Sequence, residues 1–245
     1  MEQAPARSGL LKGVTGVGAL GLLGLLLSKG KFLLLGLTKL STLFTMLLSM
    51  GVYWAAWGWA FAVGLVLSIY IHEMGHVAML RRYGIPASAP MFIPGLGAVI
   101  RSSQYPATPR EDSRVGLAGP LWGLGAAALA WAVFALGGGA YWGAVAKVGA
   151  WINLFNLLPL WQLDGGRGFR SLTRGQRLLA CAALGAAWYL TKEGLLVLLL
   201  LAAIVRIFEK EAPREGDTPG LLQYLFLLAS LSALSALQVP LPAGT

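Results

Sequence analysis

The stretch that most constrains this chain is an apolar run from about Val52 to Leu80, which carries two histidines and a glutamate and ends in Arg81-Arg82. The residues from Trp59 to Leu67 read as part of a membrane span. A carboxylate inside such a span costs roughly 2.5 to 3.5 kcal/mol on insertion scales, so Glu73 is functional by default. His72 and His76 are the only two histidines in 245 residues. Four positions apart on a helix, they lie on one face a turn from each other, the spacing at which two imidazole nitrogens bind one Zn²⁺.

His72-Glu73-Met74-Gly75-His76 is therefore an HExxH motif on a helix, the zincin signature, in which the glutamate is general base toward a water on the metal. Isolated HExxH matches arise by chance in soluble proteins. Here a glutamate and two histidines in hydrocarbon have no structural use that leucine would not serve better, and zinc is the simplest compensator. Composition agrees with the setting: 57% hydrophobic and 12% charged residues place the chain in the polytopic membrane class. The net charge of +9 does not indicate nucleic acid, because the basic residues sit at the ends of apolar runs and form no polar, aromatic-interleaved patch. Cys181 is the single cysteine, in an apolar segment, which leaves no disulfide framework and no thiolate metal site; a small buried hydrophobe is its expected role.

Taken in order, residues 10–27 are apolar and glycine-rich and either span or lie in the interface; Ser28-Lys29-Gly30-Lys31 follows, so no removable leader is expected. Phe32 to Met50 is read as a span interrupted by Lys39. In the next run Tyr53, Trp54, Trp57 and Trp59 form an aromatic belt at one end, and Arg81-Arg82 mark the cytoplasmic end. At 1.5 Å per residue the two histidines lie roughly 7 to 14 Å below that interface. Residues 84–114 contain Pro86, Pro90, Pro94, Pro106 and Pro109 and are not expected to form an ordinary helix. The apolar Met91 to Ile100 within them, with Gly95 and Gly97, suits a short re-entrant loop packed beside the site, with Ser102, Ser103 and Gln104 as a water entrance.

Val115 to Leu136 is the next span, with Gly119-Pro120, Gly123 and Gly125 as small packing positions, and Tyr141 to Leu158 returns. Arg167, Arg170, Arg174 and Arg177 then place Asp164 on the cytoplasmic side. Leu178 to Val205 divides at Lys192-Glu193-Gly194 into two short spans, and Leu221 to Leu237 is the last. The fold expected is an all-α polytopic membrane protein of about six to seven transmembrane helices with a short re-entrant β-like loop near the active site. Its segments are 1–31, interfacial or spanning, 32–170, a catalytic membrane core, and 171–245, C-terminal transmembrane helices.

A catalytic zinc takes three protein ligands and keeps a position for water, so two histidines are one short. Glu111 and Asp112 adjoin arginines and are expected to be solvated. Asp164 follows the helix-breaking Pro159 and precedes Gly165-Gly166, which suits close backbone approach to a metal and equally an Asp-Gly turn at the end of a span. Residue chemistry alone favours the ligand role only modestly.

His72-Glu73-x-x-His76 in one span, with Asn156-x-x-Pro159-x-x-x-x-Asp164-Gly165 in a later one, resembles the site-2 protease family of intramembrane zinc metalloproteases. The likeness extends from about Phe32 to Arg170 and includes the Gly-containing apolar loop and the Ala118-Gly119-Pro120 span. It implies His72, His76 and Asp164 as ligands of one Zn²⁺, Glu73 as general base and Asn156 as a polar group steadying substrate or transition state. It implies a transmembrane protein as substrate, the lipid bilayer as surroundings and no nucleic-acid partner. No stretch has room for a PDZ or CBS domain, which puts recognition by an added domain in doubt. The lack of an organelle-type leader points to a prokaryotic plasma membrane, with the site toward the cytoplasm. Two rival readings are a silent scaffold that binds transmembrane segments and a metal transporter. An intact Glu73 favours the enzyme over the scaffold, and one compact ligand set disfavours a transport path.

Overall fold

The helix limits follow from where proline, glycine and capping side chains interrupt the apolar runs. The computed structural model describes residues 42–95, 97–160 and 163–239. The expectations placed on residues 1–41, Leu96, Trp161 and Gln162 lie outside the described residues. Helix α1 (Thr42–Trp57) leads into α2 (Trp59–Arg82) through Gly58, whose φ of 85° is closed to most side chains. The sequence reading divided these runs near Gly51. Gly51 instead stays helical inside α1, and the junction falls where the backbone needs a positive φ. Trp54, Trp57 and Trp59 crowd that junction and are exposed, as an interfacial belt requires, whereas Tyr53 is buried.

After Arg82 the prolines keep the chain extended. Strands β1 (Met91–Ile93) and β2 (Gly97–Val99) pair antiparallel in the register Met91 to Val99, Phe92 to Ala98 and Ile93 to Gly97. This hairpin is the β-like element expected between residues 91 and 100. It is pinned to α1: Phe92 is buried with Tyr53 and Leu65, its amide donates to Thr45 Oγ1 (3.2 Å), and the Gly95 amide donates to Tyr53 Oη (3.1 Å).

Helix α3 (Pro109–Ala135) begins well before the expected Val115. Pro109 opens the helix instead of breaking it, since the first turn needs no amide donor, and Thr108 caps it by accepting from the Glu111 amide at 3.2 Å. Helix α4 (Ala140–Asn156) stops ahead of Pro159, and the short α5 (Asp164–Phe169) follows. A reciprocal Thr173–Gln176 cap starts α6 (Arg174–Thr191); Lys192 at φ 57° ends it, and α7 (Leu195–Ile207) runs on from there. Residues 178–205 thus form two helices, as the Lys192-Glu193 pair implied. Helix α8 (Thr218–Ala236) completes the described fold.

Among the described residues, α2, α3 and α8 are long and apolar enough to cross a membrane, and α1 and α7 are shorter apolar helices. Helix α3 lies at the centre, packed on α2, α4, α5 and α8, while α6 packs on α7 and α8. The main apolar core joins Leu117 and Leu124 of α3, Leu154 of α4, Phe169 of α5, Leu184 of α6, Leu199 of α7 and Tyr224 of α8. Cys181 packs half-buried against that core, in line with the role expected for it. Leucine and alanine dominate these contacts, and Gly119 and Gly123 of α3 let polar side chains of the neighbouring helices reach its backbone.

Several arginines that serve the sequence reading as topology markers are structural. Arg177 is 1% exposed and donates to the carbonyls of Leu172 and Phe169 (3.1 Å each) and of Arg206. Arg206, also buried, donates to the Gly166 carbonyl at 3.3 Å, and both arginines meet Glu209. Between them they tie the carbonyls of α5 to α6 and α7.

Asp217 caps α8 by accepting from the Gly220 amide (3.1 Å) and pairs with Arg114 at 2.6 Å. Burial pushes its carboxyl up, but the hydrogen bonds from Arg114, Gly220 and Ser171 outweigh burial and hold it below the ordinary value. A pKa lower in the folded state than in the unfolded one adds stability above about pH 4, which is lost as pH falls through the folded value. Thermal unfolding of detergent-purified protein between pH 7 and 3 is expected to show a shallower acid-side loss in Asp217→Asn than in wild type, from a lower starting stability.

Candidate metal centre

The histidines arrive on α2 as the spacing dictates, one turn apart, and both are buried. Their Nε2 atoms are 3.2 Å apart. Asp164, the first residue of α5, reaches them from the opposite side, with Oδ2 3.1 Å from His72 Nε2 and Oδ1 3.2 Å from His76 Nε2. The three ligand atoms lie within 4.8 Å of one another, the one such His/Cys/Asp/Glu grouping among the described residues. Asp164 opens a helix and does not sit in a free Asp-Gly turn. Gly165 lies flush against the Leu157 carbonyl, where a Cβ would overlap, so the glycine serves the seating of α5 on the end of α4.

The outer nitrogens of both rings are committed. His76 Nδ1 donates to the Val115 carbonyl at 2.7 Å, which only a protonated Nδ1 can do. His72 Nδ1 is 2.7 Å from Asn153 Oδ1. Asn153 Nδ2 in turn donates to the Gly149 carbonyl at 2.7 Å, and since a carbonyl only accepts, the amide must present its oxygen to the histidine. Both imidazoles therefore turn an unprotonated Nε2 toward the carboxylate when neutral. Two neutral nitrogens and one carboxylate oxygen around one point are the donor set of a three-ligand zinc centre, so the residues fit that ion.

A cavity of about 1090 Å³ opens onto this cluster. Glu73 and Asn156 both line it, as does Ser102 at an exposed mouth where Ser103 and Gln104 are also exposed. Strand β2 forms part of the wall through Gly97, Ala98 and Val99. The structure thus brings all five expected site residues to one cavity: His72, His76 and Asp164 in direct contact, Glu73 and Asn156 on its walls.

Two acidic residues behave differently from their sequence reading. Asp112, expected to be solvated, is 6% exposed and accepts from Arg167 Nε (2.8 Å) and Arg170 Nη1 (2.9 Å), which fastens α3 to the end of α5. Glu111 is exposed, as expected, and accepts from the Ala107 amide at 2.9 Å. Neither approaches the histidines as a ligand. The sequence reading missed Asn153. A signal existed, since a second asparagine inside an apolar helix three positions before Asn156 is a polar group that needs a partner.

Gly119 of α3 supplies the space in which the rings meet. A Cβ there would overlap His76 Nε2 and come within 2.8 Å of His72 Nε2. Gly119→Ala is expected to abolish metal uptake, read as metal per chain by atomic emission, with a smaller effect on thermal unfolding of the metal-free protein.

Comparison with known proteins matches the same region. Residues 60–140, which include His72, Glu73, His76 and Gly119, match the family model described as Peptidase family M50. Two proteins of Mycobacterium tuberculosis, from strains Erdman and H37Rv and each named "Putative zinc metalloprotease Rip3", are 33% identical over 165 residues. The match covers 62% of this chain and 40% of each relative, so the chain spans about two fifths of the length of those relatives. The matched region contains all but the first residue of the HExxH helix and the whole of α3 packed on it, and over that region the chain is similar to peptidase family M50.

Proposed function

We propose that this protein is an intramembrane zinc metalloprotease that hydrolyses peptide bonds within or near transmembrane segments of substrate proteins. The observation that carries the reading is the convergence of His72, His76 and Asp164 beside Glu73 in a cavity lined by α2, α4 and strand β2. His72, His76 and Asp164 would hold one Zn²⁺. When bound, the ion supplies Lewis acidity that polarises the scissile carbonyl and lowers the pKa of water toward about 7.

Glu73 takes the proton from the attacking water and delivers it to the leaving amine. Asn156 donates from its amide toward the carbonyl oxygen as charge develops there. A transmembrane helix shields its own peptide bonds, so the substrate must unwind before it reaches Glu73. Strand β2 pairs with β1 along one edge and lines the cavity, which supports its use as a template for strand addition to the unwound segment. Water enters past Ser102, on the side that Arg81 and Arg82 mark as cytoplasmic in a plasma membrane. The family match supports the protease over a scaffold or transporter, and Glu73 is the residue neither of those needs.

Zinc content and hydrolysis of a single-span membrane protein in proteoliposomes test this reading together. Wild type and Glu73→Gln are expected to carry about one zinc per chain, with cleavage lost by roughly 10²- to 10⁴-fold in the variant. Asp164→Ala is expected to lose both metal and activity, and Asn156→Ala to keep zinc while slowing about 10²- to 10³-fold. A Glu73→Gln variant that cleaves like wild type, or a folded wild type that binds no zinc, overturns the proposal. Ala98→Pro, which alters β2 without touching the three ligands, is expected to reduce cleavage with zinc content unchanged; undiminished cleavage rules out strand addition there.

A further inference from the structure

We infer that Asn153 is a positioning residue for His72: it fixes the tautomer and orientation in which His72 offers Nε2 to the metal. The inference rests on the metal site proposed above. Asn153 is 3% exposed on α4, the helix facing α2 across the cavity, and it has no place in the HExxH pattern or in the run from Asn156 to Gly165.

Three observations carry it. First, the amide is fully committed, with Nδ2 on the Gly149 carbonyl at 2.7 Å and Oδ1 on His72 Nδ1 at 2.7 Å. The backbone carbonyl dictates which end of the amide faces the histidine, so the side chain presents an acceptor and nothing else. Second, the slot is built to fit. Gly123 of α3 lies against the amide, where any Cβ would overlap Asn153 Oδ1, so the group cannot rotate freely. Third, the partner differs from that of the other ring. His76 gives its Nδ1 proton to the backbone carbonyl of Val115, which no side-chain substitution removes, whereas His72 relies on one side chain from another helix. Outer-sphere acceptors of this kind hold a ligating imidazole in its neutral, Nδ1-protonated form and raise its basicity toward the ion.

A merely structural tie between α2 and α4 would affect folding and leave metal binding alone once the protein is folded. The two are separated by chelator competition for Zn²⁺ and by the visible d–d spectrum of the Co²⁺-substituted protein, alongside thermal unfolding of the metal-free form. Asn153→Ala is expected to bind Zn²⁺ about 10- to 100-fold more weakly and to shift the Co²⁺ bands. Asn153→Asp, nearly isosteric, keeps an acceptor toward His72 while losing the donor to Gly149; it is expected to bind Zn²⁺ at least as tightly as wild type and also to shift the bands, because a carboxylate now faces the ring.

Asn153→Ala with wild-type Zn²⁺ affinity and spectrum, or Asn153→Asp as weak as Asn153→Ala, overturns the inference while leaving the metal site intact. If Asn153→Ala does not fold, Asn153→Asp decides alone, and an unchanged Co²⁺ spectrum in it overturns the assignment. A folded wild type that takes up no Zn²⁺ overturns the metal site, and this inference with it.

Discussion

Two imidazoles and a carboxylate meet at 3.1 to 3.2 Å inside a bundle made largely of leucine, alanine and glycine, and most of the surrounding structure serves that meeting. Polar groups in such surroundings need partners, since each one left unsatisfied costs on the order of 1–3 kcal/mol. The partners come from three helices. Val115 on α3 and Asn153 on α4 take the outer ring nitrogens, and α5 brings Asp164 to the inner ones. Gly119 and Gly123 allow α3 to come near enough for these contacts to close, because a methyl group at either position would occupy the space of a ring or an amide.

The short α5 is held on several sides by charge. Asp112 grips Arg167 and Arg170 from α3, while Arg177 and Arg206 take carbonyls of Gly166 and Phe169 from beneath. Ion pairs of this sort, with Asp112 buried and its arginines partly exposed, add little net stability, because desolvation of the carboxylate and solvent screening of the arginines offset most of the attraction. What they supply is position. Asp164 stands at the first residue of this helix, so a shift of α5 would move the carboxylate away from both rings. Arg167, Arg170 and Arg177 are among the basic residues from which the sequence analysis read an expected topology, and in the fold they hold α5 in place.

The hairpin completes the site from the other side. It depends on α1, through Thr45 and Tyr53, and not on the histidine helix alone. An extended segment beside the cluster requires helix breakers, which Pro86, Pro90 and Pro94 provide, and an anchor, which the burial of Phe92 provides.

The sequence by itself determined the pair of histidines on one helical face, the glutamate between them, the extended stretch between residues 91 and 100, and the division of residues 178–205 at Lys192. Each follows from local rules of helical period, proline sterics and the cost of charge in an apolar run. The Asn156-to-Gly165 motif pointed to Asp164, but its contact with both rings depends on where α5 lies against α3. The tertiary structure alone decided that Asp112 is buried, that the α1–α2 junction falls at Gly58 and that Asn153 meets His72. Those outcomes depend on residues 55 to 81 positions apart or on a backbone dihedral, and one-dimensional spacing carries no record of which helix faces which.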